Sequence, residues 1–384
     1  MTRKTKTILW LVIVIVVIAG VWYVYNKRSA EKENTGALLK KEPVKIGFIG
    51  PLTGDASNLG QSSKTAVEIA VEEVNSSDGI NGRPLEVIYE DGRCTGNTAI
   101  NAANKLINID KVPVILGGLC SGETQAFAGT AEQAKVVVLS YCSSAPAISK
   151  AGDYIFRNYP SDSFQGKFAA EYILTKLNKK KAAVLYVNSD WGVGIKDVFI
   201  NEFKKGGGEI LISEAYEQTT KDLRGQLTKI KALKPDIVYF LGYAEASIIG
   251  LKQAKELGLN IPLFGGDGWD DSKIWSEAGS AGEGAMYTTV YAPLNDAFKT
   301  KMQQKTGSTD ITICAPQAYD AVKIIAQVMN KVGTNPEDIK NELYKTTYTG
   351  GVSSQKIQFD QNGDPVSADY IVKIVRNGQA VELK

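Results

Sequence analysis

The chain has 384 residues, 43% hydrophobic and 22% charged, enough for two folded domains and unlike a disordered composition. Its net charge of +2 is uneven: residues 1–43 carry a surplus of +5, which leaves −3 on the rest, so the body has no electrostatic reason to bind nucleic acid. There is no histidine, which excludes Ser-His-Asp and Cys-His catalysis and H-E-x-x-H zinc sites. No metal or cofactor is implied.

Ile8 to Tyr25 is an unbroken uncharged run preceded by Arg3, Lys4 and Lys6. As a helix it would span about 27 Å, close to the hydrocarbon thickness of a bilayer. Trp22, Tyr23 and Tyr25 stand where an interfacial aromatic belt would lie. Ile18-Ala19-Gly20-Val21 has the form of a lipoprotein signal box with Val in place of the lipidated Cys. The run is longer than the apolar region of most cleaved signal peptides. It predicts an uncleaved transmembrane anchor over 8–25, with cleavage to a secreted form as the alternative. Residues 26–43 are polar and charged and read as a tether.

From Val44 onward, short β-rich runs alternate with segments of helical period. Strands are expected at 44–50, 85–91, 112–116 and 136–140, then at 182–187, 209–216, 236–241 and 262–266. Helices are expected at 61–75, 97–109, 164–178, 193–205, 222–233 and 244–257. Near-continuous apolar strands separated by helices imply parallel sheets covered on both faces. The rhythm occurs twice, so the fold class is α/β, with two Rossmann-like doubly wound lobes. The join falls near Tyr159-Pro160-Ser161-Asp162. Helices at 295–305, 316–332 and 336–345 then run together, followed by strands at 355–359 and 369–376. The chain is therefore expected to return to each lobe and to form a multi-strand hinge. The domains are an anchor and tether (1–43), a first lobe (44–161 plus 292–350) and a second (162–291 plus 351–384).

Ligands of open parallel sheets bind beyond the C-terminal ends of the strands. In the first lobe those ends carry Gly117-Gly118-Leu119-Cys120-Ser121-Gly122 and Tyr141-Cys142-Ser143-Ser144. These loops offer hydroxyls and backbone amides suited to a carboxylate. Ser121, Ser143 and Ser144 could equally be ordinary helix caps. In the second lobe the corresponding loops carry Trp191, Tyr243 and Asp267. Asp267 could pair with a ligand ammonium, and the two aromatic rings could cover its aliphatic part. Asp267 as a turn residue and the rings as interface plugs are the alternatives. Gly192-Val193-Gly194 lacks the third glycine of a dinucleotide fingerprint, and no phosphate-binding loop motif is present.

Cys94 and Cys120 each follow a strand, so their thiols could come close, and their spacing is not that of metal ligands. A disulfide would suit an oxidising exterior, and buried free thiols are the alternative. The same choice stays open for Cys142 and Cys314.

The run IGFIGPLTGDASNLGQSSKTAVEIAVEEVN, with YEDGRC, GGLCSGET, NSDWGVG and GGDGW in matching order, resembles the leucine/isoleucine/valine-binding branch of the type I periplasmic binding proteins across nearly all of 44–384. That resemblance implies two Rossmann-like lobes, a three-strand hinge and delivery of a solute to an ABC permease. It implies that Cys94 and Cys120 form a disulfide and that Ser121 holds a ligand carboxylate. Ser144 would lie near the ammonium, with Ser143 offering backbone groups beside it. Trp191 and Tyr243 would act as aromatic lids, and Asp267 as the acidic ammonium partner. Leu59, where some relatives carry an aromatic, and Asp267, one methylene shorter than the usual Glu, depart from the pattern, so the amino acid itself is not implied.

The leading expectation is thus an extracytoplasmic solute-binding protein, not an enzyme, whose partners are an amino acid or analogue, an ABC permease and the membrane. Two alternatives are a membrane-tethered sensor acting on a signalling partner and a histidine-independent hydrolase. Against the hydrolase, no G-x-S-x-G or S-x-x-K arrangement has a suitable partner.

Overall fold

A computed structural model describes residues 10, 14–27 and 41–383. Residues 14–27 form helix α1, whose aliphatic and aromatic side chains are exposed. Among the described residues no helix is long and apolar enough to cross a membrane. The expected 8–25 span extends beyond α1 into residues 8, 9 and 11–13, which lie outside the described residues.

The first half is a five-stranded sheet in the order β2-β1-β3-β4-β5. Its strands are β1 (Val44–Gly50), β2 (Leu85–Asp91), β3 (Val114–Leu116), β4 (Val137–Ser140) and β5 (Ile155–Arg157). All pair in parallel. The crossover helices are α2 (Ser57–Ser76), α3 (Gly96–Asn108) and α4 (Ser121–Ala134). Their apolar stripes, such as Ala99, Ala103 and Leu106 of α3, are buried. Parallel strands need such crossovers, and helices on both faces explain why Val114-Ile115-Leu116 is apolar on both sides.

The second half repeats the pattern. Strands β6 (Lys181–Val187), β7 (Glu209–Tyr216), β8 (Ile237–Leu241), β9 (Leu263–Gly265) and β10 (Met286–Val290) are parallel. Two antiparallel strands, β13 (Tyr370–Arg376) and β14 (Gln379–Glu382), extend that sheet to seven in the order β14-β13-β10-β9-β8-β6-β7. Its helices are α5 (Asp162–Thr175), α6 (Asp190–Lys205), α7 (Arg224–Leu233), α8 (Ala244–Glu256) and α9 (Ser272–Ala278). Strand order reverses between β1 and β3 in one sheet and between β6 and β8 in the other. Each reversal opens a crevice at the strand C-termini.

Helices α10 (Asp296–Thr306), α11 (Ala315–Val332) and α12 (Pro336–Leu343) return to the first half, where α10 and α11 pack on α2. The chain passes between halves at 158–161, 291–295 and 366–369. The strand expected at 355–359 is present as β12 (Lys356–Gln358), paired with β11 (Thr347–Thr349) in a separate hairpin. Residues 352–365, expected with the second lobe, pack on the first. Asp320 of α11 accepts from the Val352 and Ser353 amides at 3.1 and 2.8 Å, and buried Arg157 pairs with Asp364 at 2.7 Å. A buried guanidinium needs a carboxylate, and that demand holds the segment in place.

Candidate functional site

The C-terminal edges of the two sheets face each other. Ser121 is the first residue of α4, where the leading N–H groups have no intrahelical partner. Its Oγ accepts from the amides of Ser144 and Ala145 at 3.2 and 3.0 Å, which ties the loop after β3 to the loop after β4. Behind it Glu123 is fully buried and accepts the backbone N–H groups of Cys94, Leu119 and Cys120 at 2.9–3.0 Å. Burial pushes its carboxyl up to about 7 even against those three donors.

Both cysteine pairs are disulfides. Cys94–Cys120 (Cα–Cα 5.3 Å) joins the loop after β2 to the start of α4. Cys142–Cys314 (Cα–Cα 5.2 Å) joins the loop after β4 to the start of α11. The second bond, left open by the sequence, pins a site loop to a helix that arrives 172 residues later.

The opposite edge is acidic and aromatic. Trp191, in the first turn of α6, and Tyr243, which caps α8, lie with ring centroids 4.8 Å apart. Gly268 sits beneath them; an added Cβ would come within 2.9 Å of the Trp191 ring and 2.8 Å of the Gly242 carbonyl oxygen. Asp267 follows β9, is buried, and accepts the Tyr159 hydroxyl at 2.6 Å. The Gln165 amide satisfies its surroundings when its NH2 faces Asp162 (2.8 Å) and Asp267 (3.3 Å) and its oxygen takes the Asp267 amide at 2.9 Å. Asp162 is buried, and its Oδ2 has no protein partner. Burial, then the Asp267 charge, raises the Asp162 carboxyl well above the usual range. Burial lifts Asp267 to about 6, opposed by its Tyr159 and Gln165 donors. Two buried carboxyls so placed cannot both ionise without a cation between or beside them.

Ser121, Ser144, Trp191, Tyr243 and Asp267 line one cavity of about 20 Å³, together with Leu59, Leu119, Cys142, Gly268 and Ile313. Ser143 does not. Its hydroxyl bonds Thr124 Oγ1 and donates to Gly118 O, its amide donates to Ser140 Oγ, and its carbonyl accepts from Arg157. Ser143, expected to offer backbone groups beside Ser144, thus has its hydroxyl, amide and carbonyl bonded within the first half, where it braces the loop from behind. Sequence reasoning missed Tyr159, Asp162 and Gln165. The first two were visible only as turn residues at the join, while Gln165 lies on the same face of α5 as Asp162, three residues on.

The halves also touch around the cavity. Asn58 Nδ2 donates to Asp271 Oδ1 at 2.7 Å, and the Glu245 amide, in the first turn of α8, donates to Asp55 Oδ1 at 2.8 Å. Burial raises Asp55 to about 6. Among the described residues no cluster of three or more His, Cys, Asp or Glu side chains could hold a metal ion.

Comparison with known proteins agrees with this geometry. A periplasmic binding protein family model matches residues 43–379. The Leu-, Ile-, Val-, Thr- and Ala-binding protein of Pseudomonas aeruginosa is 31% identical over 341 residues, covering 86% of this chain and 89% of its own. The Leu/Ile/Val-binding protein of Escherichia coli K12 is 26% identical, covering 89% and 94%. A leucine-binding protein from Thermotoga maritima superposes with a TM-score of 0.83 at 29% identity, over 89% of this chain and 98% of the other. A branched-chain amino acid transporter substrate-binding protein from Streptococcus pneumoniae, solved with isoleucine, gives 0.81 at 27%, over 89% and 100%. These are binding proteins rather than enzymes, and this chain belongs to their family, the type I periplasmic binding proteins of the leucine/isoleucine/valine-binding branch.

Proposed function

We propose that this protein is the solute-binding component of an ABC importer and closes two lobes on an amino acid. One observation carries the reading: five residues chosen from sequence, drawn from both halves, converge on one cavity with a helix N-terminus on one rim and the buried Asp267 carboxyl on the other. In this reading Ser121, Ser144 and the first amides of α4 take the carboxylate. Asp267, with Asp162 beside it, takes the ammonium, and Trp191 and Tyr243 cover the side chain. A cavity of about 20 Å³ has room for about one water, so entry of an amino acid requires the rims to part, which supports a hinged mechanism. The lobes are 44–161 with 292–365, and 162–291 with 366–383.

The buried Asp267 carboxyl favours a zwitterion, whose ammonium would stabilise its ionised form, over a simple carboxylic acid, which brings no cation. The named ligands of the relatives favour branched-chain or small amino acids. Two disulfides and the periplasmic relatives support an extracytoplasmic location. The uncharged run 8–25 serves as the membrane anchor in this reading, and an intact mass that includes residue 1 in the membrane fraction would support it.

A thermal-shift panel of amino acids, amides and aromatic acids tests the function. A ligand at 100 times its Kd that binds only the folded state adds about 2.7 kcal/mol. A panel in which no amino acid raises the melting temperature would overturn the assignment.

A further inference from the structure

Helix α8 starts without a cap of its own. Its N-cap position is Tyr243, a residue that lines the interlobe cavity and whose side chain accepts no hydrogen bond from the helix. The side chains that normally cap are the short oxygen-bearing ones, Ser, Thr, Asp and Asn; a phenol hydroxyl stands too far from its own backbone. The leading N–H groups of a helix lack intrahelical partners and must find them elsewhere. The N–H of Glu245, second residue of α8, finds its partner in the opposite half, donating to Asp55 Oδ1 at 2.8 Å. That is an amide a local capping side chain usually takes, here taken by a residue 190 positions away in sequence. The Glu245 carboxylate itself is paired with Lys221.

Asp55 stands in the loop between β1 and α2. Among the described residues the Glu245 amide is the one hydrogen-bond partner of its carboxyl, and its Oδ2 is buried without one. Asn58, three residues on in the first turn of α2, donates to Asp271, which caps α9. One short segment of the first half thus reaches two helix starts of the second. We infer that Asp55 is a positioning residue for ligand retention: it caps α8 across the cleft and so fixes Tyr243 over the occupant only while the halves are together. When they part, the Glu245 N–H returns to water and α8 starts uncapped. The inference rests on the closure reading. A contact made only in the closed form slows opening and leaves entry unchanged, so its signature lies in dissociation.

The test is stopped-flow release of L-leucine, followed by tryptophan fluorescence, from the full-length wild type and its Asp55→Ala and Asp55→Asn variants. If leucine is not bound, the amino acid giving the largest thermal shift replaces it. Asn keeps an accepting oxygen without a charge to desolvate, so Ala against Asn isolates the cap. Asn and Asp cap about equally well, and release from Asp55→Asn should stay near the wild-type rate, whereas release from Asp55→Ala should be about fivefold faster. Association rates and the melting temperature of the empty protein should be the same in all three. Small-angle scattering of the wild type with and without the amino acid reports closure separately. Compaction on binding, with equal release rates from the Ala and Asn variants, overturns the proposal and leaves closure standing. Binding without compaction removes the closure reading and the proposal with it.

Discussion

The two rims of the interlobe cavity are built in opposite ways. The first-sheet rim is donor-rich and covalently braced: two disulfides, the Glu123 carboxyl and the Ser121 hydroxyl fix its loops from behind. The second-sheet rim has no covalent brace; Trp191, Tyr243 and Asp267 are held by ring packing and by Tyr159 and Gln165, which sit at or beside the first crossing. A rim that presents neutral dipoles can be made rigid at no electrostatic cost. A rim that presents buried carboxyls is under tension until a cation arrives. Stability should therefore reside in the first rim and ligand discrimination in the second.

The largest effect should come from breaking the brace. Replacing Cys142 and Cys314 together by Ala removes a link between positions 172 apart, which should lower unfolding stability by about 5 kcal/mol; the same change at Cys94 and Cys120, 26 apart, should cost about 3.5 kcal/mol. Chemical denaturation measures both. Equal losses would show that loop length does not govern the brace.

Asp267→Asn should do the opposite. Affinity for the amino acid should fall roughly 30- to 1000-fold by calorimetry, the usual consequence of removing one partner of a buried charge pair. The empty protein should hold or gain melting temperature at pH 8. The sign follows from linkage. An Asp267 pKa raised from 3.8 to about 6 contributes stability that is fully present below pH 3.8 and lost as pH rises through about 6. The wild type should thus gain stability relative to Asp267→Asn as pH is lowered from 8 to 5, while its affinity for a zwitterion falls over the same interval. Parallel trends in stability and affinity would contradict the division between rims.

Trp191→Ala removes the ring packed at a tilt against Tyr243 and should weaken binding about tenfold, with little change in denaturation midpoint beyond the lost packing. The smallest effect is expected at the contacts that hold the rims together. Asn58→Ala deletes the bond to Asp271 and should lower affinity roughly threefold, mostly through faster dissociation in a stopped-flow release assay. An unchanged release rate would mean that this contact does not report closure.

Much of this architecture was legible in one dimension. Val114-Ile115-Leu116 and Ile237–Leu241 are apolar at every position because both faces of each sheet are covered, so parallel order could be read from periodicity. Other strands were hidden. β5 ends in Arg157, buried only because Asp364 reaches it from 207 residues away, and β10 carries two threonines buried against neighbours that local sequence does not show. Asp162 looked like a turn residue because nothing near it in sequence reveals that Asp267 will be its neighbour.

Local chemistry, by itself, determined the alternation of strand and helix, the positions of the loops that could bind, and the exclusion of histidine chemistry. Those features depend on periodicity and on residue types within a few positions of one another. Only the tertiary structure decided which loops meet, that Ser143 turns away while Ser121 and Ser144 line the cavity, that Cys142 pairs with Cys314, and that Asp162 joins Asp267. Each of these is a long-range contact whose energy comes from desolvation and charge at a distance in sequence that no local pattern encodes.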